Sequence, residues 1–79
     1  MNKNNTLTLD KLPVGEQAVV MSFTNDAVKL ILLEMGCIPG ERISVERIAP
    51  LGDPIAVNIS GYLLSMRRAE AAAVEVKRV

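Results

Sequence analysis

Two turns rich in proline and glycine bracket one strand of alternating character in the stretch "PGERISVERIAPLGDP", residues 39–54. Within it, Ile43 and Val45 face one way while Ser44 and Glu46 face the other, the period of two that is typical of a half-buried strand. Proline fixes φ and glycine accepts a positive φ, so both ends of this strand are predicted to be tight turns. The chain is therefore expected to consist of short strands that fold back on one another.

The rest of the sequence extends this pattern to a small, mainly β domain with one α-helix. The helix is predicted over 26–35, because Thr24 or Asn25 can cap its start and Gly36 can end it. Helical turns are expected at 68–72 and near the N-terminus, the latter capped by Thr8. Gly61 is predicted to form a bulge or a sharp bend. The predicted strands are 17–23, 41–49, 55–60, 62–67 and 73–79, with the second and third paired as a hairpin. A curled barrel of four or five strands buries these apolar faces economically.

The predicted helix carries more apolar side chains than one buried face requires. One face is predicted to hold Val28, Ile31, Leu32 and Met35. The opposite face holds Lys29, Leu30, Leu33 and Glu34. We expect its two leucines to be covered by the N-terminal segment, by a second copy of the chain, or by another protein.

Size and charge exclude several classes of function. Seventy-nine residues allow one domain, with residues 1–6 as a flexible N-terminus and 7–79 as the folded unit. Nine basic and nine acidic residues, with two aromatic side chains, argue against nucleic-acid binding. The longest apolar run, 30–33, is too short to cross a membrane, which argues against insertion into one. A single cysteine fits a reducing compartment, so a cytoplasmic location is expected.

The side chains that perform chemistry are almost absent. The sequence has no histidine, and Cys37 with Glu34 is the one pair with metal-ligand character. Without a general base for a nucleophile, catalysis is not expected. Asp53 is predicted to be a turn residue that bonds its own backbone. We therefore predict no catalytic, cofactor-binding or metal-binding residues.

Four motifs in register resemble the FeoA family, the small cytoplasmic proteins of bacterial ferrous iron uptake. They are a helix exit (Leu32, Met35, Gly36, Pro39, Gly40), a loop (Pro50 to Pro54), a Gly-Tyr-x-Leu pair (Gly61, Tyr62, Leu64) and an Arg followed by Glu-Ala (Arg67, Glu70, Ala71). The opening "LPVGEQAVV", 12–20, is also similar to the start of the family. The resemblance implies an SH3-like barrel of about five strands with an inserted helix.

The resemblance also implies a partner, the FeoB membrane GTPase that moves ferrous iron, whose G-protein region the chain would bind to modulate assembly or activity. The family often has an arginine before the helical leucines, and here Lys29 is the nearest cation. Two alternatives stay open: a detached metal-responsive regulatory module, and a GTPase-activating partner that supplies Arg67 or Arg68 as an arginine finger.

The sequence predicts two sets of residues, one at an interface and one in turns. The residues predicted to contact a partner, or a second copy, are Leu30, Leu33, Lys29, Tyr62 and Arg67. The residues predicted to shape turns are Gly36, Pro39, Gly40, Gly52, Asp53, Pro54 and Gly61.

Overall fold

The computed structural model describes residues 6–79, which form one antiparallel sheet with two helices in its connections. In chain order the elements are β1 (Thr6–Thr8), β2 (Gln17–Phe23), α1 (Asp26–Glu34), β3 (Arg42–Ile48), β4 (Ile55–Ile59), β5 (Tyr62–Met66), α2 (Arg68–Ala71) and β6 (Val74–Arg78). A 3-10 helix, Leu9–Lys11, follows β1. The strands lie in the order β1-β6-β2-β3-β4-β5. The predicted mainly β fold with one main helix is confirmed.

Two bulges curl the sheet around its core. The register of β2 shifts against β6 between Val20 and Ser22, and that of β3 shifts against β4 between Val45 and Arg47. A bulge bends its strand and increases the local twist, so two of them on neighbouring strands curl the sheet, which keeps β1 and β5 as its edges. The side chains that point inward are apolar, and no polar or charged residue of the described chain is fully buried.

Helix α1 begins and ends where the sequence predicts. The Asn25 Oδ1 accepts hydrogen bonds from the backbone N–H groups of Ala27, at 2.8 Å, and Val28, at 3.2 Å. At the other end, the Cys37 N–H donates to the Leu32 carbonyl at 2.9 Å, and the Gly36 N–H donates to the Leu33 carbonyl at 3.1 Å. This pair of bonds is a Schellman motif, which requires the positive φ of +97° that Gly36 adopts.

The buried face of α1 is narrower than predicted. Leu32 is fully buried, whereas Val28 and Met35, at i−4 and i+3 from it, are half-buried. Ile31, which we assigned to the inner face, is 49% exposed, so that assignment was wrong. The helix contacts the core along a single row of side chains, since Val28, Leu32 and Met35 lie above one another at helical spacing and pack against the core.

The predicted N-terminal helical turn is present as the 3-10 helix Leu9–Lys11, with Thr8 at its N-cap position, and a strand that the sequence did not predict precedes it. Thr6–Thr8 pairs with β6, and the Thr8 side chain makes no capping hydrogen bond to the 3-10 helix that follows. Thr6 therefore belongs to the sheet and not to the predicted flexible N-terminus, whose residues 1–5 lie outside the described part of the chain. The pairing satisfies backbone N–H and C=O groups along one edge of β6. It also makes β1 the sixth strand of the sheet.

Gly61 lies in a tight turn rather than in a bulge or bend within a strand. Ser60 and Gly61 have φ of 50° and 89° and connect β4 directly to β5, which pair from Ile59 and Tyr62 outward. Two successive positive φ values give the two-residue hairpin turn that matches sheet twist. The Asn58 Oδ1 accepts a hydrogen bond from the Gly61 N–H at 3.1 Å, which fixes the turn locally.

The other predicted turn residues lie in two connections. The Glu41 N–H donates to the Ile38 carbonyl at 3.0 Å across Pro39 and Gly40, and Gly40 has φ of +97°. In the β3–β4 connection, the Gly52 N–H donates to the Ala49 carbonyl at 2.7 Å, and the Ala49 N–H donates to the Pro54 carbonyl at 3.1 Å.

Asp53 does not bond its own backbone, contrary to the prediction. Its Oδ1 accepts a hydrogen bond from the Arg68 N–H at 3.0 Å and so satisfies a free amide at the start of α2. The loop before β4 is thereby tied to the helix before β6.

In the described residues, no helix has the length and apolar character needed to span a membrane.

Replacement of Leu32 by alanine is expected to destabilise the fold by about 2–5 kcal/mol, because it leaves a cavity in a packed core. Leu30→Ala, on the same helix, is the control, and its effect should stay within about 0.5 kcal/mol since this side chain is 67% exposed. Urea titration followed by circular dichroism measures both free energies of unfolding. Equal effects of the two substitutions would contradict the packing described for α1.

The Cys37 thiol is fully buried, and burial raises its pKa from 9.0 to about 11. In the unfolded chain the thiol ionises first, so its contribution to stability is complete below pH 9 and is lost as the pH rises towards 11. The free energy of unfolding should therefore fall over this range relative to that of Cys37→Ala. At pH 8 the native thiol should not react with a disulfide reagent until urea unfolds the protein. Rapid labelling of the native protein would contradict this burial.

Candidate interaction surface

A groove of about 500 Å³ runs between the end of α1 and the β4–β5 hairpin. Its apolar wall comes from Met35 and Ile38 on one side and from Tyr62, Leu63 and Leu64 on the other. The Schellman motif at the end of α1 fixes the first side, and the two-residue turn at the start of β5 fixes the second. The groove is thus held by two local structures that depend on glycine.

The polar rim of this groove is acidic. The carboxylates of Glu34 and Glu41 line it, and no lysine or arginine of the described residues does. One oxygen of Glu41 accepts a hydrogen bond from the Ser60 hydroxyl, which holds the carboxylate beside the hairpin turn. An apolar surface with carboxylates at its rim favours a partner that offers apolar and basic side chains.

The residues predicted to contact a partner fall into two groups. On α1, Lys29 and Leu30 are exposed, and Leu33 is half-buried. Leu30 lies one turn before Glu34 on the same helix face, so this face leads into the groove, where Tyr62 is 71% exposed. Arg67 lies apart from them, just beyond the far end of β5 and about 17 Å along the chain from Tyr62.

Sequence reasoning missed two apolar side chains at the groove. Ile38 is 47% exposed and Leu63 is 64% exposed. Leu63 pairs across the sheet with Asn58, on the face that the alternation of β4 assigns to solvent. That alternation was the available signal, because a leucine opposite a polar position points away from the core.

A second, smaller groove of about 250 Å³ lies beside β5, and Leu63 and Leu64 line both grooves. Its remaining lining includes Arg47, Pro54 and Ser65. Apolar side chains therefore flank strand β5 in two separate depressions.

The described residues offer no assembled metal site. Within 6–79, no group of three or more histidine, cysteine, aspartate or glutamate side chains is placed to hold a metal ion. The pair suggested by the sequence is split, since Cys37 is buried in the core while Glu34 lies at the groove. The Asp10 Oδ1 is buried without a hydrogen-bond partner among these residues, but one oxygen is not a coordination sphere.

The sequence profile of the FeoA domain matches residues 7–78, which is nearly the whole chain. A fusion of Fe(2+) transport protein A with the Fe(2+) transporter FeoB, from Porphyromonas gingivalis, is 38% identical to the chain over 74 residues. That alignment covers 92% of this chain and 9% of the fusion protein.

Solved structures agree in fold with the one described above. The solution structure of FeoA from Chlorobium tepidum superposes with a TM-score of 0.84 at 42% identity, over 92% of this chain and 70% of that one. The crystal structure of Stenotrophomonas maltophilia FeoA complexed with zinc, a prokaryotic SH3 domain protein, superposes with a TM-score of 0.77 at 33% identity, over 90% of this chain and 89% of that one.

These likenesses confirm the resemblance that the motifs suggested, and with it the SH3-like architecture. The profile match extends across the helix exit, the hairpin and the last strand. The chain belongs to the FeoA domain family.

Proposed function

We propose that this chain is a non-enzymatic, cytoplasmic accessory protein of ferrous iron uptake, which binds the G-protein region of a FeoB-like membrane transporter and modulates its assembly or activity. The observation that carries this proposal is the Porphyromonas gingivalis fusion, in which a segment 38% identical to this chain shares one polypeptide with FeoB. Fusion keeps two partners at a high effective concentration, which is useful when the separate proteins must bind each other. A role as a ferrous iron transport activating factor has also been suggested for the Stenotrophomonas maltophilia protein.

The face of α1 that leads into the groove supports the binding part of the proposal. Leu30 is 67% exposed and Tyr62 is 71% exposed, and both are side-chain types that bury well against a partner. Folding of the monomer does not need either side chain, because the core is filled from the other face of the helix and from the strands. Lys29, beside Leu30, can pair with a carboxylate of the partner.

The chain's overall charge indicates how such a complex would form. Nine basic residues balance nine acidic ones, so the net charge of the chain supplies no long-range attraction to a charged partner. Apolar contact at Leu30 and Tyr62 must then supply most of the affinity, and the affinity should change little with salt.

Isothermal titration of this chain with the isolated G-protein region of its matching transporter tests the proposal. Leu30→Asp should weaken binding at least about tenfold, since it places a charge in an apolar contact. Leu51→Asp is the matched control, because Leu51 is 96% exposed in the β3–β4 connection, and this variant should bind as the wild type does.

Both variants should keep the native circular dichroism spectrum. Absence of binding by the wild-type chain would overturn the proposed partner. Binding that survives Leu30→Asp unchanged would leave the partner in place and remove the helix face from the interface.

A further inference from the structure

Strand β5 is an edge of the sheet. It pairs with β4 on one side, and within residues 6–79 the strand order places no neighbour on its other side. The other edge is β1, which has three residues, whereas β5 has five and keeps an unbroken register with β4.

The alternation of the hairpin shows which backbone groups of β5 are free. Ile59 and Tyr62 flank the two-residue turn and form a hydrogen-bonded pair, so every second residue of β5 bonds to β4. The N–H and C=O groups of Leu63 and Ser65 therefore point away from β4. Among the described residues, neither makes a backbone hydrogen bond outside the hairpin. This edge offers two free donors and two free acceptors.

The edge lacks the devices by which proteins usually protect an exposed strand. Its sequence, "YLLSM", has no proline, no charged residue and no bulge. Leu63 is 64% exposed on one face of the strand, and Leu64 is half-buried on the other. A strand added here would cover apolar surface on both faces while it satisfies the free backbone groups.

We propose that β5 pairs with β5 of a second copy of this chain, antiparallel and around a twofold axis at Leu64. In this register Leu63 lies opposite the partner's Ser65, and Ser65 lies opposite the partner's Leu63. All four free backbone groups of each copy are then used, which gives four hydrogen bonds between the copies. Leu64 packs against the partner's Leu64 on the core side, where cross-strand side chains approach most closely.

Charge complementarity favours a second copy as the occupant. The hairpin end of β5 is acidic, with Glu41 held against Ser60 and with Glu34 nearby in the same groove. The other end is followed by the exposed Arg67. Antiparallel pairing sets Arg67 opposite the partner's Gly61, at the turn where the partner's Glu41 is held. The twofold axis repeats this contact, so each dimer gains two opposite-charge pairs at its rim.

Sedimentation equilibrium of the full chain tests the pairing. The wild type should show a reversible monomer–dimer equilibrium. Ser65→Pro should abolish the dimer, because proline removes an outward N–H and its ring blocks the edge. The monomer should still fold, since this N–H bonds nothing in β4. Ser65→Ala, which keeps the N–H, is the control and should dimerise as the wild type does.

A chain that stays monomeric up to about 1 mM would overturn the proposal. So would a Ser65→Pro protein of native circular dichroism that still dimerises, or a wild type that forms rings or filaments, as pairing of β5 with the β1 edge would produce. Tyr62 belongs to both proposed surfaces, but the transporter test uses Leu30, which lies outside the β5 interface, so failure of the dimer would leave the transporter proposal intact.

Charge reversal tests the antiparallel register itself. Arg67→Glu and Glu41→Arg should each raise the dissociation constant of the dimer about tenfold, because each places like charges at both rim contacts. The double variant should return it to near the wild-type value, since both pairs form again with exchanged signs. A double variant no tighter than the single ones would overturn this register.

Discussion

Sixteen apolar side chains must be buried inside a sheet of six short strands, and the rest of the structure depends on this constraint. A domain of 79 residues has little chain to spare, so nearly every inward position is aliphatic and the described core holds no polar residue. The bulges in β2 and β3 curl the sheet, so that the side chains on its inner face fill the core. The grooves of the described residues lie on the outer surface, between α1 and the β4–β5 hairpin and beside β5.

The same constraint explains why the exposed apolar residues gather around α1 and β5. The core accepts one fully buried residue from the helix, Leu32, so the neighbouring leucines face outward or lie half-covered. On β5, Met66 is buried at one end while Tyr62 projects beyond the core at the other. The two elements meet at a groove with an acidic rim. On one side of this groove lies the face of α1 proposed to bind the transporter, and on the other lies the β5 edge proposed to pair with a second copy.

Local chemistry made much of this fold predictable. Asn25 and Gly36 set the ends of α1, because each satisfies backbone groups a few residues away. The alternation of β4 predicted which of its residues are buried, and the paired β3–β4 hairpin followed from it. Strand β1 could not be predicted in this way, because its pairing with β6 joins residues that lie some seventy positions apart. Asp53 was misassigned for the same reason, since its partner is an amide fifteen residues away.

The sequence by itself determined the class of fold, the ends of its helix and its family, since each of these follows from residue types at short spacing. Only the tertiary structure decided which apolar side chains remain outside. Ile31 and Leu32 are adjacent aliphatic residues of similar size on one helix, yet Ile31 is half-exposed and Leu32 is fully buried. Exposure depends on where the curled sheet ends relative to the helix, and that position is the product of contacts between residues far apart in the chain.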